Sequence, residues 1–179
     1  RPMTHSLSLE VIPTDKLTVA QHEAVVELCT AAYAFDFSDF FAQMPGCVHV
    51  LAWQAGSLVS HAAWVTRWLQ PAGYAPLRTA YVEAVATAPA HERKGFATAT
   101  MRHLAEQILD FDLGGLSPSD PVFYARTGWE SWRGPLSIRT EAGLLATPGE
   151  EVMILRLPRT PPLDLDGPLS AEWRSGELW

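Results

Sequence analysis

Apolar and polar positions alternate from Leu7 onward: Leu7, Leu9 and Val11 face one way and Ser8 and Glu10 the other, which predicts a strand. The period then lengthens. Behind Thr18, a residue suited to capping a helix, Val19, His22, Val26, Cys29 and Tyr33 recur at helical spacing. The run Phe35-Asp36-Phe37-Ser38-Asp39-Phe40-Phe41 sets four aromatics among two carboxylates. It suits either a short helix tucked onto the core or a pocket wall with acids at its rim. Val48 to Trp53 and Leu58 to Trp68 are apolar runs around Gln54-Ala55-Gly56-Ser57, the pattern of strand, tight turn and strand. A loop from Pro71 to Pro76 leads into an apolar strand, Leu77 to Thr87, which Pro89 stops. From Arg93 to Phe111 the spacing is helical again, with Ala97, Met101, Leu104, Ala105 and Ile108 on one face. Gly114-Gly115 ends that helix, and Leu116-Ser117 closes a short strand. Asp120 to Thr127 reads as a short helix with Asp120 near its N-cap and Gly128 just past its end. Trp129 to Ile138 and Val152 to Leu157 read as two last strands, followed by a proline-punctuated extended tail. The order β-α-α-β-β-β-α-β-α-β-β implies an α/β fold: a single mixed central sheet flanked by helices.

Composition narrows the partners. The 179 residues fit one domain over 1–179. With 47% hydrophobic and 18% charged residues, the chain can build a core and is not disordered. The net charge of −7 argues against nucleic acid, which needs a basic face. It suits a cationic partner, and it is equally an ordinary solubility charge. Cys29 and Cys47 show neither CxxC spacing nor a His partner at ligand spacing; two isolated thiols fit a reducing cytoplasm. No apolar run approaches the roughly 20 residues of a membrane span, so no membrane partner is expected. Arg1 and Pro2 ahead of Met3 read as a cloning remnant.

Two segments invite chemistry. Between the strand ending at Thr87 and the following helix lies Pro89-Ala90-His91-Glu92-Arg93-Lys94-Gly95-Phe96-Ala97. A helix N-terminus offers free N–H groups and the positive end of a dipole. Gly95 lets a ligand approach the backbone, and Arg93 and Lys94 add charge. The same residues also suit an ordinary strand-to-helix connection. The second feature is Glu83, a carboxylate inside an apolar strand. Alternation puts it on one face with Tyr81 and Val85 unless a bulge intervenes. Such a carboxylate is either a structural group paired with a buried partner, or a base or anchor for an ammonium. The six histidines include no HExxH and no i, i+4 pair, so no metal site is expected. His61 fits a hydrogen-bonded core residue better than a base. No hydrolase elbow, P-loop or dinucleotide fingerprint occurs. Among seven tryptophans, Trp129, Trp132 and Trp179 are candidates to line a sugar cleft.

Glu92-x-x-Gly95-x-Ala97, between an apolar strand and an amphipathic helix, resembles the acyl-CoA pyrophosphate turn of the GNAT N-acetyltransferases. That family usually has Arg or Gln where Glu92 stands; Arg93 follows one place later. Phe123-Tyr124-Ala125-Arg126-Thr127-Gly128-Trp129 resembles a signature near the end of the same fold. The resemblance narrows at Tyr81-Val82-Glu83-Ala84-Val85-Ala86, His61-Ala62-Ala63, Asp36-Phe37 and Trp173-Arg174-Ser175-Gly176-Glu177-Leu178-Trp179. Those stretches are similar to the aminoglycoside 2′-N-acetyltransferases.

The resemblance implies the GNAT acetyltransferase fold, with acetyl-CoA as cosubstrate and no metal. It implies that Val85, Ala86, Glu92, Arg93, Lys94, Gly95, Phe96, Ala97 and Ser117 hold acetyl-CoA. The Val85 N–H would polarise the thioester carbonyl, Glu83 would take a proton from the substrate ammonium, and Tyr124 would return one to the thiolate. Asp36, Asp39, Glu83, Glu177 and the carboxylate of Trp179 would hold ammonium groups of an aminoglycoside, with residues 158–179 folding back to the substrate site. Antibiotic resistance by modification, a cytoplasmic location and a homodimer are implied too. The aromatic cluster would suit a small acceptor such as kasugamycin. Two rival readings remain: acetylation of another amine, such as a polyamine or a protein N-terminus, and a non-catalytic acyl-CoA or sugar-binding module.

Overall fold

A computed structural model describes residues 6–179; Arg1, Pro2 and Met3, and with them the expected cloning remnant, lie outside the described residues. In chain order the elements are β1 (Ser8–Pro13), α1 (Val19–Tyr33), β2 (Val48–Gln54), β3 (Ser57–Pro71), β4 (Leu77–Thr87), α2 (Phe96–Gln107), β5 (Leu113–Leu116), α3 (Pro121–Ala125), β6 (Glu130–Ser131), β7 (Leu136–Thr140), β8 (Gly143–Ala146), β9 (Met153–Arg156) and β10 (Leu169–Glu172). Three 3-10 turns, Thr14–Lys16, Phe41–Gln43 and Pro89–His91, connect them. The fold class is the expected one: mixed α/β, with parallel and antiparallel ladders and few helices. The chain forms two compact units, one of residues 6–65 with Glu83–Gln107 and one of Thr66–Val82 with Ile108–Trp179.

In the first unit β1, β2 and the start of β3 form an antiparallel ladder, Val50 lying opposite both Val11 and Ala62. Ala55 and Gly56, both at positive φ (50° and 78°), make the tight turn that joins β2 to β3. Thr18 caps α1 through a reciprocal box: its hydroxyl accepts from the Gln21 N–H at 3.1 Å, and its own N–H donates to Gln21 Oε1 at 2.9 Å. Val25, Leu28 and Cys29 are the side chains α1 buries. The aromatic run after α1 is no helix. It turns irregularly into the 3-10 segment at Phe41, because Asp36 bonds back onto Ser38 and so competes with helical hydrogen bonding. Phe37 and Phe41 are buried while Phe35 is exposed, so core packing and exposed rim share one segment.

In the second unit β4 pairs in parallel with β5 over Thr79–Tyr81, β5 pairs antiparallel with β9, and β6 adds to β9. The end of β3 pairs with β10, β10 runs parallel to β7, and β8 closes that edge. Gly114 and Gly115 do not merely end a helix; they lie inside β5. A Cβ on Gly115 would sit 3.1 Å from the Tyr81 ring and 3.3 Å from Leu69, so close strand packing explains both glycines. Helix α2 accordingly stops at Gln107, before the expected Phe111. The expected strand from Trp129 to Ile138 splits into β6 and β7. At 132–134 the chain instead hydrogen-bonds to the 165–167 segment, and a Cβ on Gly134 would collide with the Gly167 carbonyl. Asp120 caps α3 by accepting from the Phe123 N–H, and Gly128 follows at φ 96°.

Candidate active site

In the first unit the candidate residues cluster on β4. Ala84 adopts φ 53°, a left-handed conformation that L side chains disfavour by ~1 kcal/mol or more, so strand alternation is broken between Glu83 and Val85. The next three carbonyls all end on side chains. His61 Nδ1 lies 2.7 Å from Ala84 O, the Tyr33 hydroxyl donates to Val85 O at 2.7 Å, and the Ser60 hydroxyl donates to Ala86 O at 3.2 Å. In a trans peptide the C=O and N–H point in opposite directions. Holding the Ala84 oxygen therefore fixes the direction of the Val85 N–H, and holding the Val85 oxygen does the same for Ala86. Glu83 is half-buried. Its charge, after burial and the Cys29 thiol, raises Tyr33, whose pKa is pushed up to about 12. Tyr33 consequently stays a hydrogen-bond donor at neutral pH. Burial likewise pushes the Cys29 and Cys47 thiols up to about 12, which removes them as nucleophiles.

The turn after β4 has the features of an anion cradle. Arg93 at φ 62° and Gly95 at φ 80° alternate with Glu92 and Lys94, and a Cβ on Gly95 would meet nothing within 4 Å. The space above the glycine is open. Ala99 N–H reaches Gly95 O at 3.0 Å and starts α2, leaving the first N–H groups of that helix to a ligand. Glu92, Arg93 and Lys94 are exposed, Phe96 and Ala97 half-buried. His91, not a candidate from the sequence, sits in the same turn with its Nδ1 buried and, among the described residues, without a hydrogen-bond partner. Such an arrangement fits the negatively charged phosphates of a nucleotide-like donor.

Asp36 follows α1 by three residues and is exposed. Its Oδ1 accepts from the Ser38 hydroxyl at 2.5 Å and the Ser38 N–H at 2.9 Å, which holds its carboxyl below the usual range. Asp39 is also exposed. Tyr33 and His61 were not read from the sequence as site residues. A tyrosine in the last turn of an amphipathic helix looks the same whether it packs on the core or reaches a strand carbonyl.

The other candidates lie in the second unit. Tyr124 is buried in α3, its ring edge-on to Phe123 and Trp129, and its carbonyl accepts from the Thr127 N–H and hydroxyl. Ser117 follows β5 and is exposed, as is Glu177, whose carbonyl accepts from Arg174 Nε. Trp179 is buried, and its indole N–H donates to the Thr147 hydroxyl. Trp129 and Trp132 are buried as well, so the indoles considered for a sugar cleft pack into the interior, and Trp68 and Trp173 are the exposed ones. A residue the sequence did not flag organises this unit. Arg67, only 2% exposed, donates to Glu172 Oε1 at 2.8 Å, to Glu172 O at 2.7 Å and to Leu178 O at 2.8 Å, with its guanidinium over Tyr81 and Trp179.

Residues 14–132 match the family model described as an acetyltransferase (GNAT) domain. An aminoglycoside 2′-N-acetyltransferase from Mycolicibacterium fortuitum is 34% identical over 178 residues, covering 94% of this chain and 90% of that one. Among solved structures, ElaA from Escherichia coli is similar with a TM-score of 0.62 at 16% identity, covering 84% of this chain and all of that one. Eis1 from Mycobacterium abscessus is similar with a TM-score of 0.61 at 22% identity, over 74% of this chain and 32% of that one. At those identities the structural likenesses show the fold.

Proposed function

The chain belongs to the GNAT acetyltransferases, within the family of the aminoglycoside 2′-N-acetyltransferases, and from that premise we propose that it acetylates the 2′-amine of an aminoglycoside with acetyl-CoA as donor. N-acetyl transfer is the activity; the acceptor, the donor and the roles that follow belong to the proposal.

The left-handed Ala84 with its held carbonyl carries the reading. The Val85 N–H is the group suited to meet the thioester oxygen, which gains negative charge as the amine attacks. A donor aimed at such an oxygen is worth roughly 10²–10³ in rate. Glu83, one residue before the kink, takes a proton from the acceptor's ammonium, directly or through water, because a protonated amine has no lone pair to attack with. The N–C bond forms and the C–S bond breaks. Tyr124 gives the leaving thiolate its proton, and the proton shed by the new amide nitrogen restores the phenol. Backbone groups from Glu92 to Ala97, with Ala86 and Ser117, bind the donor, and Asp36, Asp39 and Glu177 hold further ammonium groups.

Thiol release from acetyl-CoA against a set of amines tests this. Kanamycin B carries a 2′-amine and kanamycin A a 2′-hydroxyl. Release with kanamycin B, tobramycin or kasugamycin but not with kanamycin A is expected. Equal release with both kanamycins would move the acetylation off the 2′ position. Release with spermidine alone, or with no amine, would overturn the aminoglycoside reading.

A further inference from the structure

Three short contacts in the first unit form a line that ends on the strand kink. Thr14 Oγ1 lies 2.7 Å from His49 Nε2, His49 Nδ1 lies 2.8 Å from His61 Nε2, and His61 Nδ1 lies 2.7 Å from Ala84 O. The last acceptor fixes every hydrogen in the line. A carbonyl oxygen only accepts, so His61 carries its hydrogen on Nδ1; a nitrogen lone pair at 2.7 Å would repel it. Cys29 Sγ, 3.7 Å from the same nitrogen, is the weaker contact. In the neutral ring Nε2 is then an acceptor, so His49 must donate from its own Nδ1. That leaves His49 Nε2 accepting, and the Thr14 hydroxyl donates to it in preference to Cys47 O at 3.2 Å.

Both imidazoles are fully buried. Burial holds them neutral, at about 3 for His49 and about 4 for His61, with His61 and His22 also disfavouring a charge on His49. The line ends on a carbonyl oxygen, which has no proton to give and is no base, so the rings orient their partners and carry no proton through.

We propose that Thr14, His49 and His61 form a positioning relay that sets the peptide between Ala84 and Val85, keeping the Val85 N–H in its donating orientation. This rests on the roles proposed above for Glu83 and Val85. His49 and His61 are positioning residues, not bases. Ala84 is held in a conformation its side chain disfavours, and such a conformation persists only where its surroundings over-determine it. Tyr33 and Ser60 hold the next two carbonyls, so a loosened His61 releases one peptide while its neighbours remain anchored. His49, polarised by Thr14, keeps the His61 ring from rotating and strengthens its bond to the carbonyl.

Three measurements test the relay. Imidazole nitrogen NMR of the wild-type protein should show both rings as Nδ1–H tautomers that do not titrate from pH 8 down to pH 5. An Nε2–H on either ring overturns the relay whatever the activity. In kinetics, His61→Leu should lower kcat by roughly tenfold or more, part of what an oxyanion donor supplies, with KM for acetyl-CoA unchanged. His61→Asn keeps an N–H near the place of Nδ1 and should bring kcat back to within about threefold. Wild-type kcat in His61→Leu, or no recovery in His61→Asn, overturns the proposal. The Val85 amide resonance supplies a readout independent of turnover: it should move in His61→Leu and return in His61→Asn, and an unmoved resonance also refutes the relay. If the wild-type protein acetylates no amine, the proposed activity fails on its own, and the tautomers and the Val85 resonance still decide the relay.

Discussion

Because His49 and His61 are buried neutral, they make stability depend on pH in a definite direction. Their folded pKa values, about 3 and about 4, lie below the ordinary histidine value of 6.5. Below pH 6.5 the unfolded chain therefore binds protons at both rings and the folded chain does not. Stability is full above about pH 6.5 and is lost as pH falls towards 4, at up to roughly 1.4 kcal/mol per ring per pH unit. Denaturant midpoints between pH 8 and pH 5 should fall on the acid side, and His49→Asn/His61→Asn should flatten the curve. A flat curve in the wild type would mean that the rings accept protons inside the fold. At this scale the sequence was partly legible. His61 read as a hydrogen-bonded core residue, and Glu83 stood out as a carboxylate in an apolar strand. The kink at Ala84 left no mark, because alanine, unlike glycine, asparagine or aspartate, does not announce a left-handed backbone. Whether a bulge intervened on that strand was a question of pairing, which one strand's sequence does not contain.

Among the elements, those with strong period or caps emerged where expected: β1 to β4, α1 behind its Thr18 cap, and α3 behind Asp120. The errors among the strands share one cause. Gly114-Gly115, Gly134 and the short β8 and β10 are decided by what lies across from them, and neighbouring strands are invisible to a local pattern. Arg67 belongs here as well, an arginine inside a long apolar strand that looks like an alternating surface position. Its guanidinium ties β3 to β10 and to the segment after it. Losing one member of a fully buried ion pair costs about 3–5 kcal/mol. The Glu172 side chain is 35% exposed, so Arg67→Met should cost less, roughly 2–4 kcal/mol. Urea unfolding would measure this. Limited proteolysis should also cut the Trp173–Trp179 segment faster in the variant. A variant as stable and as protease-resistant as the wild type would show that packing of Trp179 and Thr147 suffices without the arginine.

For the whole molecule, length and composition anticipated a packed protein, the order of periodic elements its α/β class, and separated motifs the family. The division into two units had no composition shift to mark it, since each takes part of β3 and part of β4. Net charge is the one global property that bears on the acceptor, and −7 alone did not separate a substrate field from ordinary solubility. Ionic strength separates them. If Asp36, Asp39 and Glu177 hold the acceptor as proposed, a polycationic acceptor responds to several charges, and screening shortens their reach from ~30 Å at 0.01 M salt to ~8 Å at 0.15 M. Raising salt over that range should lower kcat/KM for kanamycin B by roughly an order of magnitude, acting on KM. A monoamine acceptor such as glucosamine should change by less than about twofold, since it presents a single charge. If both acceptors respond alike, the three carboxylates are a solvated surface, and recognition of the aminoglycoside must come from uncharged contacts.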